Sequence, residues 1–584
     1  MPIGKNTSLK PLDDKWHYVA LSNDGKQTKL YQDGELVGVS NGAMSILPGT
    51  IGVNTKPENT FGGMIDEVRI WNTAIPNSTL IQWAYMSLTA KHPYFKNLKG
   101  YYNFDQLIDD VSLNLVGKGH QVFHMRNTRL NYKGNVPLAK LEVNDNKKFK
   151  ITPKPQELFN AISIETEWDA EQGAKNNQLL KLRIVTNGED KPLKLTQLVL
   201  DFLGTTKLSA IEKVQVYDAG QSPRDKKRIE ILGNGKWDNK KIIFKSANGI
   251  IPILKPGVNY FLVTLDIKKD AIIGDTLKGS VASFSLNGKK YTAESETDNI
   301  RKIIVPAAAT SNMLTVLQWN IWHGGLHMGN NGRNRVKELI KSTPADVVCM
   351  QEAYGIQEML ADSLKFNMIT ASKQANLALF SRYPLEKLSS KADFNSNPAI
   401  LTLPNQTQIL LANWWLRYAS QPEYTDDYIN KGSDINDWIK EDLRLGALDA
   451  KLSLDNDIDP VIKDREMPII IAGDFNSGSH LDWTARAAHL HNGYGPVALP
   501  ISKFMMDKGY VDSFRVLHPN EVTYPAGTFA VIFGQLQTSR IDYIYYKGKG
   551  LKPISSKIIR TAPEIDDVWP SDHAAVITVF EMIK

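Results

Sequence analysis

The stretch Met467–Asn476, MPIIIAGDFN, constrains the fold of this chain more than any other. An apolar run so short and so rich in isoleucine reads as a buried central strand, not a helix. It ends in Gly473-Asp474-Phe475-Asn476, where glycine lets the backbone turn. An extended chain points Asp474 and Asn476 to the same face. A carboxylate and an amide at the mouth of a buried sheet fit phosphate or metal chemistry, or merely a capped strand end.

The surrounding chain repeats the arrangement. From Leu314 onward, strand-like runs alternate with helical ones: LTVLQWNIW, then the amphipathic RNRVKELIKS, then ADVVCMQE, and later QILLANWWL, SRIDYIYY and AAVITVF. Mixed α/β with two packed sheets is the expected architecture. Polar residues recur where these apolar runs end: Asn320, Glu352, Asp474, Asn476, Asp542 and the pair Asp572-His573. Packing has no use for such a set, whereas phosphoester chemistry does. Oxygen ligands from Glu352, Asn320 and Asp572 suit Mg²⁺ or Mn²⁺. His573 oriented by Asp542 can move a proton near neutral pH. Asp474 can position a water, and Asn476 can donate to a phosphate oxygen as charge builds there.

The motifs QWNIW, MQE, GDFN, SRIDYIY and SDH, in that order, resemble the endonuclease/exonuclease/phosphatase superfamily. The resemblance implies a four-layer α/β sandwich over residues 311–584 and metal-dependent hydrolysis of a phosphoester. It places Asn320 and Glu352 at the metal. Asp474 and Asn476 match the pair that contacts water and phosphate, Asp542 the partner of the last histidine, and Asp572-His573 the closing Asp-His. Either Asp474 or His573 could then be the base. One departure stands out: Trp414 and Trp415 occupy the place where many members carry Thr-His. His323, His327 and Arg417 are the candidates to replace that histidine at the substrate, and one indole, Trp415, is expected to shape the pocket.

Residues 1–139 read as short alternating strands with a hairpin at Asp33-Gly34. Their signatures, WHYVALSNDGKQTKLYQDGELVG and GGMIDEVRIWNTAIPNSTL, resemble the second part of a laminin-G/concanavalin-like jelly roll, so the chain is read as trimmed at its start. A structural Ca²⁺ is expected in this domain. Residues 140–306 are again β-rich and resemble the β domain ahead of the propeller in bacterial sialidases. They are read as a spacer or accessory sandwich, and Ile304–Asn312 as a linker.

Of 584 residues, no run approaches the apolar length that spans a membrane, and the first residues lack a signal-peptide core. The lone cysteine, Cys349, is expected in the core. Residues 311–584 carry 27 Lys and Arg against 31 Asp and Glu, leaving 42 against 32 in the first 310. A duplex-binding site gathers cations, so this acidic half carries no nucleic-acid signature. The aromatic, acidic insertion Tyr418–Asp442 is expected to overhang the pocket. His489 and His491 read as surface residues.

These observations favour a monomeric, secreted, periplasmic or cell-surface bacterial phosphodiesterase acting on a phosphorylated glycan or glycolipid headgroup. A nuclease, a sphingomyelinase-like phospholipase, and a glycan-binding protein with an inactive hydrolase fold are the alternatives.

Overall fold

The computed structural model describes residues 16–42, 51, 63–84, 86, 88–105, 111–116, 122–123, 155–188, 190–221, 228–295, 300–306, 312–327, 331–419, 434–463, 465–491, 493–529, 540–562 and 569–583. Parts of the linker, the loop after Leu326 and the 418–442 insertion lie outside them. Among the described residues no helix is long and apolar enough to cross a membrane.

In the N-terminal region, Val19–Asn23, Gln27–Gln32 and Glu35–Asn41 form an antiparallel sheet. The hairpin at Asp33-Gly34 forms as the sequence predicts, with both residues at positive φ (52° and 86°). The middle region is a sandwich of a six-stranded and a five-stranded sheet over a core that includes Leu182, Leu198, Phe244 and Phe284. Tyr101 and Leu98 of the N-terminal region pack with Phe159 and Tyr260 of that sandwich.

The C-terminal domain contains two six-stranded sheets. Its strands are β1 (Met313–Asn320), β2 (Val347–Gln351), β3 (Asn367–Thr370), β4 (Ala378–Ser381), β5 (Leu385–Lys387) and β6 (Ser396–Thr402). They continue with β7 (Gln408–Trp415), β8 (Ile469–Asp474), β9 (Val511–Asp512), β10 (Asp542–Lys547), β11 (Leu551–Ile559) and β12 (Ala575–Met582). One sheet runs β3-β4-β2-β1-β12-β11 and the other β5-β6-β7-β8-β10-β9. Helices α1 (Gly332–Ser342) and α2 (Gln357–Leu364) cover the first sheet, and α3 (Gly446–Ser453) and α4 (Pro500–Asp507) the second. The result is helix, sheet, sheet, helix.

Strand periodicity explains the layering. In β1, Leu314 and Val316 face the second sheet while Leu317 and Trp319 face the helices. In β8, Ile470 and Ala472 face inward while Ile469 and Ile471 face out. Continuing each inward row puts Gln318, Asn320, Gln351, Asn413, Trp415, Asp474 and Asp542 on the inter-sheet face, mostly at one end of the seam. Cys349 lies in this seam, and burial pushes its thiol far above its ordinary range. Gly473 has a different role from the turn expected of it: it remains in the strand, where a Cβ would sit 2.1 Å from the Trp414 carbonyl oxygen. Only glycine lets β7 and β8 approach this closely.

The middle sandwich is more than a spacer. Asp169 Oδ1 lies 2.8 Å from Lys557 Nζ, and both side chains are largely buried. Lys557 also donates to the Ile300 carbonyl (2.9 Å), and Lys302 Nζ to that of Ile554 (2.8 Å). Removing one partner of a buried pair leaves the other charge uncompensated. Asp169→Ala should therefore lower stability by about 3 kcal/mol, and adding Lys557→Met should restore most of it. Urea titrations followed by tryptophan fluorescence would check both; an unshifted midpoint in Asp169→Ala would show the pair adds nothing.

Candidate active site

The inward rows converge on His573, just ahead of β12. Its Nδ1 lies 3.0 Å from Asp542 Oδ2, and its Nε2 lies 3.9 Å from both Asp474 Oδ2 and Asp572 Oδ1. Asp474 and Asp542 are cross-strand partners on β8 and β10. Burial opposes the charge on His573, but the carboxylates of Asp542, Asp474 and Asp572 raise its pKa well above the ordinary value. Burial also raises Asp474 well above the carboxylate range, with the Asp542 charge adding to this and His573 opposing it. Asp474 and His573 are both shifted toward their protonated forms, 3.9 Å apart.

The orientation of this pair is fixed from within the seam. Asn413 Nδ2 donates to the carbonyls of Met350 (2.8 Å) and Ala378 (3.0 Å), so its Oδ1 must accept, and it does so from Gln351 Nε2 at 2.6 Å. Gln351 Oε1 then accepts from Gln318 Nε2 (2.9 Å), which also donates to Asp542 Oδ1 (2.8 Å). The backbone carbonyls at one end dictate the polarity of the whole chain. Asp542 receives a donor on one oxygen and presents the other to His573 Nδ1, leaving Nε2 toward Asp474. Gln318, Gln351 and Asn413 are fully buried. The sequence reading missed them as site residues, although Gln318 stands two places before Asn320 and so on the same face.

Asn320 links the two sheets, donating to Glu352 Oε1 (3.2 Å) and Asp474 Oδ2 (3.0 Å). Glu352 Oε2 accepts the backbone N–H of His323 at 2.9 Å. Trp322, His323, Glu352, Tyr354 and Asn476 all have positive φ, between 29° and 54°. Left-handed backbone is costly for such residues, and its concentration here marks loops held in place by their surroundings.

The sequence-predicted residues divide into two groups. Asn320, Glu352, Asp474, Asn476, Asp542, Asp572 and His573 meet at this end of the seam. Asn476 differs from its expected role as a phosphate donor: its amide already donates to the Leu416 carbonyl (3.0 Å) and to Asp474 Oδ2 (3.1 Å). It orients Asp474 instead. The His323 imidazole is exposed, with Nε2 3.6 Å from Glu352 Oε2, and His327 stacks on Trp322 at 4.3 Å. Burial and the neighbouring His323 lower the His327 pKa. Trp414 is buried on the helix side, whereas Trp415 lies opposite Asp474 in register, half-buried between Phe394 and Tyr418. Arg417 is not a free cation: its guanidinium forks onto Asp449, with Nη2 2.6 Å from Oδ1 and Nε 2.9 Å from Oδ2. His491 is buried against Trp483 (4.2 Å), not on the surface.

Two sets of side chains could hold a metal. The ligating atoms of Asp474, Asp542 and His573 lie within 4.8 Å of one another, but Asp542 and His573 already satisfy each other. Among the described residues, the carboxylates of Glu352 and Asp572 form the other set; Asn320, expected there as an oxygen ligand, turns its Nδ2 to Glu352 while its Oδ1 accepts from the Trp322 N–H (3.0 Å). Burial raises Asp572 to about 6, with His573 opposing and the Glu352 charge adding to the shift. Two carboxylates that repel each other beside an amide suit a hard divalent cation.

Residues 317–573 match the profile of the endonuclease/exonuclease/phosphatase family. The C-terminal domain belongs to that family. This endonuclease/exonuclease/phosphatase domain is a phosphoester hydrolase. Residues 160–290 match the N-terminal domain of BNR-repeat neuraminidase, and residues 4–80 the concanavalin A-like lectin/glucanases superfamily. An uncharacterized protein of Caenorhabditis elegans, F14F9.5, is 26% identical over 326 residues, covering 47% of this chain and 93% of its own length. The human Nocturnin catalytic domain with bound sulfate is similar at 17% identity, covering 46% of this chain and 95% of its own, with a TM-score of 0.32. A D. rerio TDP2 humanized by 14 mutations is likewise 17% identical, covering 47% and 100%, with a TM-score of 0.30.

Gln318→Leu keeps the volume of the side chain and removes the donor to Asp542. Because misplacing a reacting group by about 1 Å can cost about a hundredfold, kcat should fall at least about tenfold with KM little changed. Steady-state kinetics on bis-p-nitrophenyl phosphate would check this; a wild-type kcat would show that the contact serves only packing.

Proposed function

We propose that the chain is a divalent-metal-dependent phosphodiesterase whose substrate is a phosphorylated glycan or glycolipid headgroup outside the cytoplasm. The observation that carries the reading is the Asp542–His573–Asp474 cluster set beside the Glu352 and Asp572 carboxylates, with Asn320 bonded to both Glu352 and Asp474. Glu352 and Asp572 would hold Mg²⁺ or Mn²⁺, with Asn320 as a third ligand if its amide turns its oxygen to the ion; the ion would neutralise charge on a phosphoryl oxygen. Asp474, oriented by the amides of Asn320 and Asn476, holds a water or its proton. His573 Nε2 exchanges a proton with the reacting oxygens while Asp542 keeps the ring in place.

Exposed rings support the sugar-bearing substrate. His323 and His327 lie beyond Glu352, and Phe394 and Tyr418 flank Trp415 beyond Asp474. Rings of this kind stack on the apolar face of a sugar, and the acidic balance of residues 311–584 works against an extended polyanion. The lectin-like and neuraminidase-associated regions ahead of the domain agree with a glycan context outside the cell. Rings also stack on bases, so a nuclease is the reading to test against.

A panel of bis-p-nitrophenyl phosphate, p-nitrophenyl phosphate, plasmid DNA, sphingomyelin and phosphorylated glycans with Mg²⁺, Mn²⁺ and Ca²⁺ should show diester cleavage that is fastest on the glycans. Faster cleavage of DNA would select the nuclease. Glu352→Ala should lower turnover at least about a hundredfold and weaken metal binding with the fold intact; full activity in excess EDTA would refute the metal assignment.

The pKa of Asp572 adds a pH dependence. Its folded value, about 6, lies above the unfolded one, so its contribution to stability is complete below the unfolded pKa and lost as pH rises through 6. Metal binding needs the ionised form. The rise in Tm produced by Mn²⁺ should therefore grow from pH 5 to pH 7, and differential scanning fluorimetry would show it; a gain independent of pH would remove Asp572 from the ligand set.

A further inference from the structure

The middle sandwich reaches the catalytic histidine through three consecutive residues, Glu167-Trp168-Asp169. Asp169 anchors the tripeptide on Lys557 and on the Lys302 backbone N–H (2.7 Å). Trp168 is 3% exposed and belongs to the same packed cluster as Trp319, Trp569 and Ala562 of the C-terminal domain. Trp319 and Trp569 pack with ring centroids 4.9 Å apart, and both indole N–H groups donate to the His573 carbonyl, at 3.1 and 2.6 Å. The backbone of His573 thus hangs from two indoles that belong to a core cluster to which another region of the chain contributes a buried side chain.

Glu167 is linked to the same histidine indirectly, through Arg560 and the segment 527–529. Its Oε2 accepts the Arg560 backbone N–H at 2.7 Å, and the Arg560 guanidinium donates to the Gly527 carbonyl (2.5 and 3.2 Å). The next residue, Thr528, accepts on its hydroxyl from the backbone of Ile541 and Asp542, and on its carbonyl from Ala574 (2.6 Å). Phe529 then packs its ring 5.1 Å from that of His573. One short segment of the middle sandwich is therefore linked, through Arg560 and through the Trp319–Trp569 cluster, to the supports of both members of the Asp542–His573 pair.

We infer that Trp168, assisted by Glu167, is a positioning residue for phosphoester hydrolysis, supplied to the active site by the middle sandwich. This rests on the function proposed above. Truncating Trp168 leaves a void in the cluster that holds Trp319 and Trp569, and loosening of that cluster relaxes the geometry by which their N–H groups fix the His573 carbonyl. The indoles hold His573 by its backbone carbonyl, whereas its Nε2 lies near Asp474 and Asp572.

The test uses the full chain with Trp168→Ala, Trp168→Phe, Glu167→Ala and Glu167→Gln. It reads turnover of bis-p-nitrophenyl phosphate together with hydrogen–deuterium exchange of the peptides spanning 527–529 and 569–575. Trp168→Ala should lower kcat about ten- to a hundredfold with KM within about twofold. Amides of the two segments should exchange at least about tenfold faster, while those of the seam strands β1 and β8 remain protected. Trp168→Phe should recover most of both effects. Glu167→Ala should repeat the defect, and Glu167→Gln, which keeps an acceptor for the Arg560 N–H, should relieve it. Wild-type kcat and exchange in both alanine variants would overturn the inference. So would protection lost uniformly across the domain in both, because that pattern belongs to general stability. If the wild-type protein cleaves no phosphodiester, the proposed function fails, and the exchange data still decide whether the tripeptide holds His573.

Discussion

The hydrogen bond between Asp542 Oδ2 and His573 Nδ1 organises the C-terminal domain. It joins the two sheets, since Asp542 opens β10 in one and His573 leads into β12 in the other. A carboxylate and an imidazole buried together are tolerable only if each remaining polar atom is satisfied. The surroundings meet that demand: Gln318 on the free oxygen of Asp542, Thr528 on its backbone, Ser571 on the His573 N–H and two indoles on its carbonyl. What would be a liability in a core becomes a fixed carboxylate–imidazole pair at the end of one.

The catalytic end is oxygen-rich by construction. The inward rows are apolar through most of their length and change to amides and carboxylates only at their last residues. Hydrophobic burial of Leu314, Val316, Ile470, Ala472 and Ile544 closes the sheets, and the polar termini are carried into place by the same alternation. Stability and chemistry occupy the same strands without sharing residues. The left-handed backbone at Glu352 and Asn476 lies immediately beyond the strand ends, where a rigid scaffold can sustain it.

Much of this was legible in the sequence because it depends on local order. Period-2 alternation and the five ordered motifs identified the α/β domain, and the Asp33-Gly34 hairpin formed as written. The polar strand ends were readable individually, and the structure brings seven of them together. Arg417 was misjudged because its partner, Asp449, lies 32 residues away on a different element. His491 was misjudged because its burial depends on Trp483, and Asn476 because its donors are claimed by a carbonyl 60 residues back. The relay of amides was in plain view as Gln318, Gln351 and Asn413, but a buried amide acquires meaning only through the direction of its bonds.

The seating of Glu167-Trp168-Asp169 bears on how such a chain could have been assembled. Modules joined end to end can be exchanged by recombination in the linker between them. Here the joint has a second, non-covalent part, in which Asp169 meets Lys557, Glu167 meets Arg560, and Trp168 joins the cluster of Ala562 and Trp569. A catalytic domain transplanted without its neighbour would arrive with an open wall behind its histidine. The two regions are expected to have been inherited as one unit, and substitutions at 167–169 should track those at Lys557, Arg560, Ala562 and Trp569 through descent.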